Sequence, residues 1–164
     1  MPTPPPQGDP YAPEHMARAV ALAERSIAKG GGPFGAVVVH RGAVLCEATN
    51  QVVRDHDPTA HAEIRALRLA ATALGDHVLT GCTVYSSCEP CPMCLGALFW
   101  ARVDRVWFAA TRADAADAGF DDEALYRELA TPLEARSLPI ACRDHELGRA
   151  PFRAWKSAPT KTPY

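Results

Sequence analysis

The sequence predicts an α/β fold, a three-layer α/β/α sandwich around a central mixed sheet of five strands. Three observations predict it. Short β-branched runs alternate along the chain with stretches of helical apolar period. Glycine and proline punctuate the junctions between them. The 164 residues, 48% of them hydrophobic, suit one packed domain rather than two.

The elements follow in order. Pro13 suits a first helical position, and Met16, Ala19, Val20, Ala23 and Ile27 recur at helical spacing until Gly30 ends the run. Gly35–His40 and Ala43–Thr49 flank the Arg41-Gly42 turn and read as a hairpin. Asp57-Pro58-Thr59 opens a second helix carrying Ile64, Leu67, Ala71 and Leu74, closed by Gly75. Thr83–Ser86 is expected as a strand, Cys91–Ala101 as a third helix and Arg105–Ala109 as a fourth strand. Asp121–Ala130 reads as helix, Pro139–Arg143 as the final strand and Pro151–Ser157 as a short helix. Six of the fifteen prolines fall in the first thirteen residues. Residues 1–10 are therefore expected to be a disordered tail, with the domain spanning 11–164.

Lys and Arg number 17 against 19 Asp and Glu, a formal net charge of −2 with a pI near 6.3. That balance argues against nucleic acid as a partner, since phosphate binding needs clustered cations. The longest apolar stretches, Phe34–Val39 and Leu95–Ala101, fall short of the roughly 18 residues of a membrane span, so no membrane partner is expected. No charged segment followed by an apolar one occurs near Met1, so no secretory signal is expected. The six cysteines are then expected in a reducing cytoplasm, as core, metal or redox residues.

Two segments carry the chemistry: His61-Ala62-Glu63 and Pro90-Cys91-Pro92-Met93-Cys94. Residues three apart share a helix face, so Cys91 and Cys94 can aim two sulfurs at one point. A helix N-terminus there favours thiolates. Two thiolates and the imidazole of His61 supply three of the four tetrahedral positions zinc prefers. An open fourth position is the catalytic pattern. Two other readings compete: a redox Cys-x-x-Cys pair, and a structural zinc that recruits Cys88 as fourth ligand. The first does not require an upstream His-x-Glu, and the second leaves Glu63 without a role. Cys46, Cys82 and Cys142 read as small buried hydrophobes, and the other five histidines as surface or loop residues.

The His-x-Glu…Pro-Cys-x-x-Cys pattern is the signature of zinc deaminases. Around it the chain resembles the cytidine deaminase-like superfamily and, within it, the small bacterial guanine deaminases. The resemblance rests on Gly31-Gly32-Pro33-Phe34-Gly35-Ala36-Val37, Asp57–Glu63, Ser87–Ala97, Ala115–Asp122 and Pro151-Phe152-Arg153-Ala154-Trp155, with a C-terminal Tyr164. It covers the chain from about residue 12 onward. It implies one Zn²⁺ per subunit and hydrolysis of the C2 amine of guanine to xanthine and ammonia. Zinc lowers the pKa of bound water from about 16 to about 7, and Glu63 would shuttle protons between that hydroxide and the base.

The resemblance also assigns the substrate contacts. Phe34 would stack on the purine, Asn50 and the backbone N–H of Ala62 would bind its polar edge, and Trp100 would wall the pocket. Asp122 would supply a second carboxylate. It lies in residues 111–130, where six acids face only Arg112 and Arg127. The same resemblance implies a homodimer in which a C-terminal segment, about residues 145–164, is swapped so that Tyr164 caps the bound base. The alternatives are a deaminase of guanosine, ammeline or cytosine, a tRNA adenosine deaminase, and a zinc-stabilised module without activity.

Overall fold

The computed structural model describes residues 8–162. Helix α1 (Pro13–Ala28) precedes a hairpin of β1 (Gly35–His40) and β2 (Ala43–Thr49). Its turn places Arg41 at φ 51° and Gly42 at φ 81°. Two successive positive φ values twist the connection with the strands, which is why a glycine stands there. A short α2 (Val52–Asp55) then leads to α3 (Ala62–Leu74), closed by left-handed Gly75. Strand β3 (Cys82–Cys88), α4 (Pro92–Ala101), β4 (Arg105–Ala110) and a short α5 (Arg112–Asp117) follow.

The sheet has the order β2-β1-β3-β4. Strand β1 is antiparallel to β2 and β3, and β3 is parallel to β4, so the sheet is mixed. The period of two along β1 and β3 sorts side chains between its faces. Ala36, Val38 and Val84 pack with Ala62, Ala66, Leu67 and Leu98 of α3 and α4. Val37, Val39 and Tyr85 pack on Met16, Ala19 and Leu22 of α1. The result is the three-layer sandwich, with every residue of β3 buried. Among the described residues no helix is long and apolar enough to cross a membrane.

Contact density divides the chain after Asp122. The second unit carries α6 (Glu123–Ala130), α7 (His145–Gly148) and α8 (Ala150–Ser157), and none of its described residues is buried. The fifth strand expected at residues 139–143 is absent there, so the sheet has four strands among the described residues. Pro139 lacks a ladder donor, and Leu138 and Ile140 are exposed with no neighbouring strand to complete their hydrogen bonds. Cys142 is accordingly exposed rather than buried.

At the end of the stretch expected as a tail, Asp9 and Pro10 are tied to the sheet. The Asp9 N–H donates to Thr83 Oγ1 at 3.0 Å, and its carboxylate accepts the Gly42 N–H at 3.0 Å. The buried Tyr85 hydroxyl donates to Pro10 O at 3.2 Å and accepts the Ala12 N–H at 3.0 Å. Residues 1–7 lie outside the described part of the chain.

Helix α1 approaches β1 through Gly35. A Cβ there would overlap Ala19 O and stand 2.7 Å from Leu22 Cβ and 2.8 Å from Ala23 N. Backbone cannot swing aside as a side-chain tip can, so Gly35→Ala should cost about 2–3 kcal/mol, read as a lower urea midpoint at unchanged slope. A second expected outcome concerns alkali. Burial pushes the Cys46 and Cys88 thiols up to about 11. The folded state thus holds those protons more tightly than the unfolded chain. Their contribution is complete below the ordinary thiol value near 9 and is lost as pH rises towards 11. The urea midpoint should therefore fall between pH 9 and pH 11 more steeply than in Cys46→Ala.

Candidate active site

His61 and Cys91 are the N-cap residues of α3 and α4, both in extended backbone conformations. An N-cap residue stands at the open end of its helix, where N–H groups lack intrahelical partners. Pro92 at the first helical position needs no such donor. Two helix N-termini therefore converge, and their positive ends favour thiolates between them.

His61 Nδ1 lies 3.6 Å from Cys91 Sγ and 3.5 Å from Cys94 Sγ. All three ligand atoms fall within 4.8 Å of one another. Zinc bonds of about 2.0–2.1 Å to nitrogen and 2.3 Å to sulfur, at a tetrahedral angle, imply N···S edges of about 3.6 Å. The donor set therefore fits Zn²⁺ in both chemistry and spacing. Cys88 is buried, its thiol contacting Thr111 O at 3.7 Å, and it stands outside this ligand group.

The protons of the cluster are unequally held. The hydrogen bond from Cys94 holds the Cys91 thiol down to about 4, against burial, with the His61 ring adding to the effect. Cys94 is correspondingly pushed up, its proton held towards Cys91. His61 is raised by its bond to Cys91. The cluster thus already carries thiolate charge to offer a cation.

Glu63, in the first turn of α3, is 5% exposed. Its Oε1 accepts the Ser86 hydroxyl at 2.9 Å, and Oε2 lies 3.5 Å from Cys94 Sγ. Burial pushes its carboxyl up, while its own backbone N–H and Ser86 favour the ionised form. A carboxyl pulled both ways is suited to taking and returning a proton.

A cavity of about 420 Å³ opens over the triad, with Phe34, Asn50, His61, Glu63, Phe120 and Asp122 in its wall. Phe34 meets Phe120 edge to face, with centroids 5.0 Å apart. Asn50 is buried and its Oδ1 accepts the Val52 N–H at 3.2 Å. Its amide nitrogen can donate to a ligand, and Oδ1 keeps a second lone pair. Asp122 is half-buried, and its carboxyl is raised by burial and by the nearby Cys91 charge. Ala62 is buried at the first helical position of α3.

Trp100 is not in this wall. It is 67% exposed and lines a separate groove with Phe99 and Arg102. At about 100° per residue it lies about 180° around α4 from Cys91, on the opposite face. Tyr164 lies outside the described residues. Sequence reasoning missed Ser86 and the role of Phe120. The Ser86-Ser87 pair closing an apolar strand was the available signal, because adjacent buried hydroxyls on opposite faces both need partners. Ser87 Oγ accepts the Gly35 N–H at 3.0 Å.

Residues 11–110 match the cytidine and deoxycytidylate deaminase zinc-binding region. The chain belongs to that deaminase family. Among the described residues, His61, Cys91 and Cys94 are the group that could hold its zinc. Among its members, guanine deaminase of Bacillus subtilis (strain 168) is 47% identical over 153 residues, covering 91% of this chain and 96% of that protein. The X-ray structure of guanine deaminase from Bacillus subtilis superposes with a TM-score of 0.91 at 46% identity, covering 94% of this chain and 99% of that one. A tRNA-specific adenosine deaminase of Aquifex aeolicus (strain VF5) is 41% identical over 92 residues, 56% of this chain and 61% of that protein.

Proposed function

We propose that this chain hydrolyses guanine to xanthine and ammonia. One observation carries the reading: a single cavity joins His61 and Cys91 of the triad to two carboxylates, Glu63 and Asp122, beside two phenylalanine rings and a buried amide. Likeness to guanine deaminase over 91% of the chain supports it, against 56% for the tRNA-specific relative. The acids of residues 111–130 also disfavour an RNA phosphate backbone.

Bound zinc supplies the Lewis acidity that makes water a nucleophile at neutral pH. The chain's own residues do the rest. Phe34 stacks on the flat base, with the edge of Phe120 holding its ring in place. Asn50 donates from Nδ2, with Oδ1 anchored by the Val52 N–H, and the Ala62 N–H at the open end of α3 donates beside it. Glu63 accepts the proton of the attacking water and passes it to the ring nitrogen beside C2. As the C2–N bond breaks, the proton left on the added hydroxyl passes by way of Asp122 to the departing amine, and C2 becomes the carbonyl of xanthine. One water is consumed and one ammonia leaves.

The enzyme works as a homodimer in this reading, with a C-terminal segment of about residues 145–164 swapped onto a partner subunit so that Tyr164 caps the bound base. No described residue of that segment is buried, and Leu147, Phe152 and Trp155 are exposed on it. Such a segment has no core of its own and gains stability only against another surface. Thiolate ligands suit the reducing cytoplasm. Ammonia release from guanine, guanosine, adenine, cytosine and ammeline, with zinc measured on the same sample, tests the substrate. Guanine should be turned over fastest, and no release from guanine overturns the reading. Sedimentation should give twice the chain mass, and removal of the last four residues should slow guanine turnover.

A further inference from the structure

We infer that Ser26 and Gly31 form a positioning device that fixes the depth of the Asn50 amide in the cavity. The inference rests on the reading of Asn50 as a substrate donor. Neither residue has been given a role so far, and Ser26 does not line the cavity at all.

Ser26 is a polar residue in the last turn of α1, yet it is only 3% exposed. Its carbonyl already serves the helix end, accepting the Gly31 N–H at 2.9 Å and the Lys29 N–H at 3.0 Å. Capping therefore does not require the hydroxyl. That hydroxyl donates across to Asn50 O at 3.4 Å. The contact is long for an O–H···O bond, but it is buried and joins the end of α1 to the segment that carries Asn50.

Gly31 sits between the two. Unlike Gly30, at φ 76°, it does not occupy the left-handed region, so backbone freedom does not explain it. Space does. A Cβ at Gly31 would overlap Ser26 Oγ and stand 3.0 Å from Asn50 O. The backbone of residue 31 is thus pressed against both partners of the hydrogen bond. From there the order passes to the site. The Asn50 N–H donates to Phe34 O at 3.0 Å, and Oδ1 is held by Val52. Phe34 and Asn50 share one support, and a shift in the Ser26–Gly31 contact moves the amide relative to the ring.

The test uses the full zinc-loaded chain and two readouts. One is the dissociation constant for 8-azaguanine. The other is the side-chain amide resonance of Asn50, recorded without ligand. Ser26→Ala should weaken 8-azaguanine binding about fivefold, the equivalent of one lost hydrogen bond, and should move the Asn50 amide signal. Turnover at saturating guanine should stay within about twofold, because the chemical groups are untouched. Gly31→Ala should weaken binding by about tenfold or more, and adding Ser26→Ala should recover much of that loss by removing the overlapping oxygen. Ser26→Ala with unchanged binding and an unchanged amide signal would overturn the inference, as would a double variant weaker than Gly31→Ala alone. If Gly31→Ala does not fold, Ser26→Ala and Ser26→Thr decide, with the hydroxyl of threonine expected to restore the Asn50 signal. Failure of the unmodified protein to bind 8-azaguanine would count against the purine reading, while the ligand-free amide signal still decides the positioning.

Discussion

Glu63→Gln should retain zinc at one equivalent and lose guanine turnover by about 10³-fold or more, within the roughly 10²–10⁴ that general acid–base catalysis contributes. The amide matches the carboxylate in shape, so Ser86 can still donate to its oxygen, and the three ligands, His61, Cys91 and Cys94, are unchanged. What disappears is the ability to accept and return a proton. The loss should fall on turnover at saturating guanine rather than on KM, since Glu63 is not a stacking or edge-binding contact. Residual activity within tenfold of the unmodified chain would remove Glu63 from the proton path. An inactive module that merely keeps the fold predicts no ammonia from either protein.

Removing the metal should abolish turnover and lower thermal stability together, and both should return on adding Zn²⁺. Two helix N-termini, the Cys91 thiolate, the Cys94 thiol and His61 are gathered at one point, and a cation bound there joins α3 to α4. A structural metal alone would restore stability without restoring catalysis. The thiols provide a second measure. In stripped protein Cys91, held down to about 4, should react with iodoacetamide at pH 6, while Cys46 and Cys88, pushed up to about 11, should not. Zinc should protect Cys91 from the same reagent. Cys94→Ala should mimic the stripped state and resist rescue by added zinc.

Much of this site is legible along the chain because its rules are local. Cys91 and Cys94 face one way since they are three residues apart on a helix, and Pro92 marks where that helix begins. Glu63 follows His61 by two residues, which places ligand and carboxylate at the same helix end. The Arg41-Gly42 turn and Gly75 likewise announce themselves through the backbone conformations they permit. Trp100 shows the limit of such reading. Its aromatic character fits a pocket wall, but its position around α4 turns it to the opposite face.

The pairing of Cys91 with Cys94 and the nearness of Glu63 to His61 are written in spacing within one helix, and the α/β alternation in the order of local periods along the chain. Folding is what brings the N-termini of α3 and α4 together, sets Ser86 of β3 against Glu63, and puts Phe120 and Asp122 in the same cavity as Phe34. It also decided that residues 139–143 form no strand. These are contacts between segments far apart in sequence. They are selected by the packing of both sheet faces and by the need of every buried polar group for a partner, and no local period encodes either.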